Sequence, residues 1–288
     1  MSLFSKFEWK RFLNELYTKF FETDVMSSTA QVAFYFSFAF FPLLLFLVSL
    51  FGLVLDSTDE LRGSLYQYLA QIMPGSAYQL VQTTMDEIIE SSSGGKLTIG
   101  LLVTLWSASA GVDSIRTALN RVYELRETRA WWKTKLQSVV LTFLFIVLLA
   151  IAVAGVTAGW SLVKVGMGGL GLEITSPWVL VTIQWAAIVL VMLFATAVVY
   201  SWIPCFKEFQ WVWISPGAVT AILVWILFSG LFRLYLQYFN SYNKAYGSLG
   251  AVIILMLWMY ITGLALLLGA AINSVLTEIT EKQATADA

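Results

Sequence analysis

Asp113, Arg116, Asn120 and Glu124 recur at i, i+3, i+7 and i+11, a spacing that places all four on one stripe of an α-helix. They follow directly on a charge-free run, residues 97–112, so the stripe continues a membrane-spanning helix, where charged groups are costly and turn toward protein or water. Asp113 and Arg116 can form an ion pair that a substrate charge would break, the chemistry of a gate or coupling site, with Asn120 on a substrate-binding wall. The competing reading leaves these groups at headgroup depth, snorkelling without a ligand. A second stripe holds Arg233, Gln237 and Asn240 at i, i+4 and i+7, with Tyr235, Tyr238 and Tyr242 nearby. A guanidinium among amides and phenols suits a carboxylate or phosphate better than a metal ion; the alternative is an arginine reaching into an aromatic belt. Gln31, Tyr35, Tyr246 and Asn273 complete the candidate substrate-binding set, although single polar residues in spans often only hydrogen-bond helix to helix.

The rest of the composition closes doors. There is no histidine and a single cysteine, Cys205, so a Cys/His zinc site, a haem ligand pair, a Cys-His or Ser-His-Asp group and an internal disulfide are all unavailable. No Walker A pattern occurs, and no cofactor is expected. Lysine and arginine number 17 against 18 acidic residues, which gives no bulk positive field for nucleic acid. Of 288 residues, 59% are hydrophobic and 12% charged, about half the charged share of a soluble domain.

The elements that must position these side chains follow from the charge-free runs. Residues 25–55, 97–112, 136–163, 174–206, 209–232 and 250–277 carry no Asp, Glu, Lys or Arg, and each is apolar enough for a helix in a hydrocarbon core of about 30 Å. The expected architecture is therefore an all-α polytopic membrane protein with six transmembrane helices. The short second run is extended through its polar stripe to about Glu124, and Ser215-Pro216 gives the fifth helix an N-cap and a first turn. With the N-terminus inside, 12 of the 17 basic residues fall on the inner side, which favours N-in, C-in topology. The spans make one domain, 25–278, with a basic inner loop over 121–135 and a flexible inner tail over 279–288. Residues 1–24 are read as an amphipathic interfacial helix, its Phe7, Phe12, Leu16 and Phe20 opposite a basic face; a helix packed on the protein's own loops is the alternative. The outer segment 56–96 is expected to hold two short helices, the first with Ser57 and Glu60 at capping-box spacing. Gly155 and Gly159 permit close helix approach and a homo-oligomer. Pro42 and Pro204 are expected to kink or end their helices.

Short runs spread through the whole chain carry a family likeness. Ala30-Gln31-Val32-Ala33-Phe34-Tyr35 and Phe41-Pro42-Leu43-Leu44-Leu45 in the first span are followed by Leu105-Trp106-Ser107-Ala108-Ser109 and Ala118-Leu119-Asn120. Ile203-Pro204, Pro216-Gly217-Ala218, Tyr246-Gly247-Ser248-Leu249-Gly250 and Leu268-Gly269-Ala270-Ala271-Ile272-Asn273 complete the ordered set. Each run is weak alone; in order they cover residues 27–275 and resemble the YihY/BrkB family of bacterial inner-membrane proteins. The resemblance implies a six-span protein of the bacterial inner membrane, discussed as a transporter or virulence factor and once labelled a ribonuclease. Phosphodiester hydrolysis needs a metal-carboxylate cluster or positioned acid-base groups. Glu124 and Glu127, among arginines and lysines, read instead as salt-bridge partners. Two readings remain: a non-enzymatic transporter, exporter or flippase, of a small anionic or amphipathic solute or lipid, or a membrane scaffold whose polar groups join helices. Membrane lipids are the expected partners of either.

Overall fold

The computed structural model describes residues 9–55, 67, 82, 94–168, 177–208, 211–238 and 248–286. They form seven α-helices, and no strand occurs among the described residues. These are α1 (Trp9–Glu22), α2 (Val25–Leu55), α3 (Gly94–Val122), α4 (Trp131–Gly168), α5 (Pro177–Trp202), α6 (Pro216–Tyr238) and α7 (Ser248–Ala286). Four helical segments, Trp131–Ala152, Trp185–Trp202, Pro216–Leu236 and Val252–Gln283, are long and apolar enough to cross a membrane. The expected helical cap over 56–96 lies almost entirely outside the described residues, as do the surroundings of Gly155 and Gly159.

Helix ends follow local chemistry. Ser215 caps α6: its hydroxyl accepts from the Ala218 amide at 3.1 Å, with Pro216 as the first helical residue. Pro204 lies just beyond the end of α5, whereas Pro42 sits inside a continuous α2. At the end of α3 the Leu125 amide donates to the Asn120 carbonyl at 2.7 Å and the Glu124 amide to that of Arg121 at 3.1 Å. This is a Schellman cap, with Glu124 at the left-handed position (φ 55°) where glycine is usual. Two differences from expectation stand out. Residues 279–286, expected as a loose tail, are the last turns of α7, with Ile279 buried beside Phe12 of α1. The basic loop is shorter than expected, because Arg121 belongs to α3 and residues 131–135 to α4.

Packing between neighbours closes a ring, α2 on α3, α3 on α4, α4 on α5, α5 on α6, α6 on α7 and α7 back on α2, while α1 rests against α7 and α2. Among the described residues the buried core includes Val25 and Val32 of α2, Leu119 and Val122 of α3, Leu141 of α4, Val198 of α5, Ala218 of α6, and Leu267 and Ala271 of α7, at the end of the bundle where α2 and α6 begin and α3 and α5 finish. We call this the polar end, for the groups that surround it. Since lipid is as apolar as a leucine side chain, helices associate there by close fit and hydrogen bonding rather than by hydrophobic drive. Among the described glycines the closest approach is between α6 and α7. A Cβ on Gly217 would collide with the carbonyl oxygen of Gly269, and one on Gly269 with the Gly217 carbonyl, the Tyr200 hydroxyl and the Ala221 Cβ.

Backbone cannot yield as a flexible side chain does, so Gly217→Ala is expected to destabilise the fold by about 3 kcal/mol or more. Thermal unfolding of purified protein checks this, with Gly230→Ala, which has open space around it, as the tolerated control.

Candidate functional site

The polar end is built on Asp113, a carboxylate inside the last third of α3. Its Oδ2 accepts from Lys135 Nζ at 2.9 Å and its Oδ1 from Ser138 Oγ at 2.7 Å, both on α4. Arg116 Nη2 lies 3.2 Å from the same Oδ1, so the ion pair read from the sequence forms. Lys135 also sits over the Trp106 ring, 4.7 Å from its centroid.

From Arg116 the network passes into the loop between α3 and α4. Arg116 Nε lies 3.9 Å from Glu127 Oε2, and Glu127 is gripped by Arg129, whose Nε and Nη2 reach the two carboxylate oxygens at 2.8 Å each. Asn120, buried, donates to Glu127 Oε2 at 3.1 Å and accepts from the Cys205 amide at 2.8 Å. Arg129 continues to Gln137 Oε1 at 2.7 Å and to the Ile203 carbonyl at 3.1 Å. The chain of contacts therefore ties α3, α4, their connecting loop and the segment just after α5 into one unit. Arg116 is 16% exposed at its side chain, yet its Nη1 is buried and has no hydrogen-bond partner among the described residues. An unmet buried donor costs about 1–3 kcal/mol, which makes this atom the exception in an otherwise saturated network.

The fourth member of the stripe leaves it. Because α3 stops at Val122, Glu124 turns away and meets Lys19 of α1, at 2.6 Å, while Glu278 of α7 holds the same ammonium at 2.5 Å. Burial works against the charge on Lys19, but its hydrogen bonds to Glu124 and Glu278 outweigh it and move the ammonium above its ordinary range. It stays a cation.

A second constellation lies where α6 begins. Asn273 Oδ1 accepts from the Gly217 amide at 2.8 Å and its Nδ2 donates to Ser215 Oγ at 2.9 Å. Asn273 thus adds a tertiary cap to the free amides of the α6 N-terminus. Nearby, Tyr200 donates to the Leu266 carbonyl at 2.7 Å.

The other sequence candidates do not join either constellation. Gln31 and Tyr35 are exposed on the outward face of α2, because its inner face is taken by Val25, Thr29, Val32 and Ala33. Arg233 is exposed near the end of α6 remote from the polar end. The Gln237 side chain, Asn240 and Tyr246 lie outside the described residues. Sequence reasoning missed Lys135, Ser138, Gln137 and Lys19 as partners. A signal existed for the first two: their i, i+3 spacing on a helix joined to α3 by a short loop makes α4 the antiparallel neighbour on which Asp113 must find its donors.

The Arg129 hydrogen bonds hold the Glu127 carboxyl down at about 2, against an ordinary 4.5. A depressed carboxyl stabilises the fold fully above the unfolded value and loses that contribution as pH falls through the folded one. The thermal midpoint is therefore expected to drop as pH falls from about 4.5 toward 2, and Glu127→Gln should flatten that drop in a pH series.

Comparison with known proteins adds kinship to this geometry. The family model described as virulence factor BrkB matches residues 16–288. The chain is 32% identical over 210 residues, 73% of its own length and 74% of the relative's, to the "Putative ribonuclease-like protein YfkH" of Bacillus subtilis (strain 168). No solved structure matches. With its apolar helices of spanning length and a family match over nearly its whole length, the chain is a multi-pass membrane protein that belongs to the BrkB family.

Proposed function

We propose that the chain is a transporter, an exporter or flippase of the bacterial inner membrane, with six crossings and both termini inside. Its cargo is a small anionic or amphipathic solute or lipid carried between helices, and the polar end is its inner gate, closed. To the four segments of spanning length this reading adds α2, whose 31 residues carry no charge, and α3, with 29 residues. The basic residues concentrated at the polar end support a cytoplasmic position for it.

The observation that carries the reading is Arg116. Burying an ion costs several kcal/mol even after relaxation, and networks that serve stability alone saturate their buried donors. Arg116 instead shares Asp113 with Lys135, touches Glu127 only at 3.9 Å and keeps Nη1 unmet. Such a guanidinium can exchange Asp113 for the carboxylate or phosphate of a solute, drawing Arg116 away from Glu127 in the loop that joins α3 to α4. Arg233, on the far part of α6, is the corresponding first contact from the other side.

A specific observation favours the scaffold as the second reading. Asn273, Ser215 and Gly217 satisfy one another at a crossing with no room for a side chain, which is helix-joining chemistry. The relative's ribonuclease-like name does not come over to this chain, because Lys19 engages Glu124 while Arg129 and Asn120 engage Glu127.

Mass spectrometry of species retained by the full-length protein, followed by flux of the retained species in proteoliposomes, tests the choice. Arg116→Gln removes a charge-assisted hydrogen bond worth about 1.5–3 kcal/mol, so retention should fall roughly tenfold or more and flux with it. Vesicles that pass nothing with either protein would leave the scaffold.

A further inference from the structure

Helix α1 carries two apolar faces, one packed on α7 and one that is largely exposed among the described residues. Phe12 is buried against Ile272, Val275 and Ile279 of α7, with Leu16 packed beside it. The other face presents Trp9, Leu13, Tyr17 and Phe21, at i, i+4, i+8 and i+12, each between 58% and 66% exposed. One helical stripe of that size, facing outward, is not a consequence of folding onto α7, since the packed face already anchors the helix.

We propose that this outer stripe of α1 sits in the headgroup layer of a membrane containing anionic lipid, and that Lys19 makes the helix a lipid-held latch on the polar end. Three features select this occupant. The stripe mixes aromatic rings with a leucine, the composition of interfacial helices. Lys10, exposed, and Arg11, which pairs with Glu15 on the same helix, flank it, and cations beside an anionic surface strengthen its hold. Met26, Phe34 and Phe38 of α2, the next helix in the chain, are exposed as well, so α1 adjoins a helix that also carries apolar residues on its outer surface.

The latch is a matter of connectivity. Lys19 is the buried residue on the opposite face, and it bonds Glu124 at 2.6 Å and Glu278 at 2.5 Å. Glu124 sits in the left-handed region, φ 55°, a conformation that is unfavourable for a non-glycine residue and persists only where its surroundings hold it. Glu127 follows three residues later, in the Arg129 and Arg116 network. A helix held down by lipid therefore holds Glu124, and through it the loop that carries Glu127. The surface and the latch stand whether or not the protein transports anything.

Spin labels on the full-length protein in vesicles provide the test. In a Cys205→Ser background, a label at Leu13→Cys should collide with oxygen more than with an aqueous nickel chelate in phosphatidylcholine containing phosphatidylglycerol. That preference should weaken in phosphatidylcholine alone and in the Lys10→Glu/Arg11→Glu variant. Nickel dominating in both lipids would overturn the surface, and spin–spin broadening with both reagents excluded would assign the stripe to a second copy instead. For the latch, a label at Arg126→Cys should become more mobile in Lys19→Met and in Glu278→Gln and return to its original state in Lys19→Arg. An unchanged Arg126 label in both Lys19→Met and Glu278→Gln would refute the coupling, without bearing on flux.

Discussion

A carboxylate placed among apolar helices must find its donors in protein, because lipid offers none and leaving an ion unpaired costs several kcal/mol. Asp113 meets that constraint with two donors from α4, Lys135 and Ser138, and an ion pair with Arg116 on its own helix. Its satisfaction fixes the register of α3 against α4. Through Arg116, Glu127 and Arg129 the same constraint reaches the Ile203 carbonyl after α5. The hydrophobic core assembles beside this network, where small residues bring backbones close and the polar groups join the helix ends. Apolar surface elsewhere on the helices points outward, as suits a chain whose solvent is lipid.

Much of this was legible in the residues themselves. Periodicity of charge-free runs located the helices, the Ser215-Pro216 pair located the start of α6, and the Asp113-Arg116-Asn120 stripe is a single face, all three of its residues entering one network. What was not legible is what depends on register between helices. Lys135 and Ser138 cannot be assigned to Asp113 without knowing how α4 turns, and Lys19 is separated from Glu278 by almost the entire chain. Glu124 fell off the stripe because a left-handed residue ended the helix there, with no glycine to announce it. Gln31 and Tyr35 face outward because α2 gives its small and β-branched residues to α3 and α7, a choice of face that two polar residues alone do not reveal.

Asn120 and Asn273 show how one residue type serves two ends. Asn273 completes a helix cap at a crossing too tight for a methyl group, and its role is architectural. Asn120 joins a loop carboxylate to the backbone after α5, within the same set of contacts that leaves an Arg116 nitrogen unmet. Saturated networks hold a shape; a network with one spare donor leaves a position that an anion would fill. On that difference the transport reading rests.

The account's central claim is that the polar end opens, and a pulsed electron paramagnetic resonance distance across it is the most direct measurement. Labels at Met26→Cys, at the start of α2, and Lys207→Cys, after α5, both exposed positions, report that span in a Cys205→Ser background. The account predicts two populations in vesicles, with Arg116→Gln shifting weight to the longer distance. One narrow distance, identical in both proteins, would contradict it and leave a rigid scaffold.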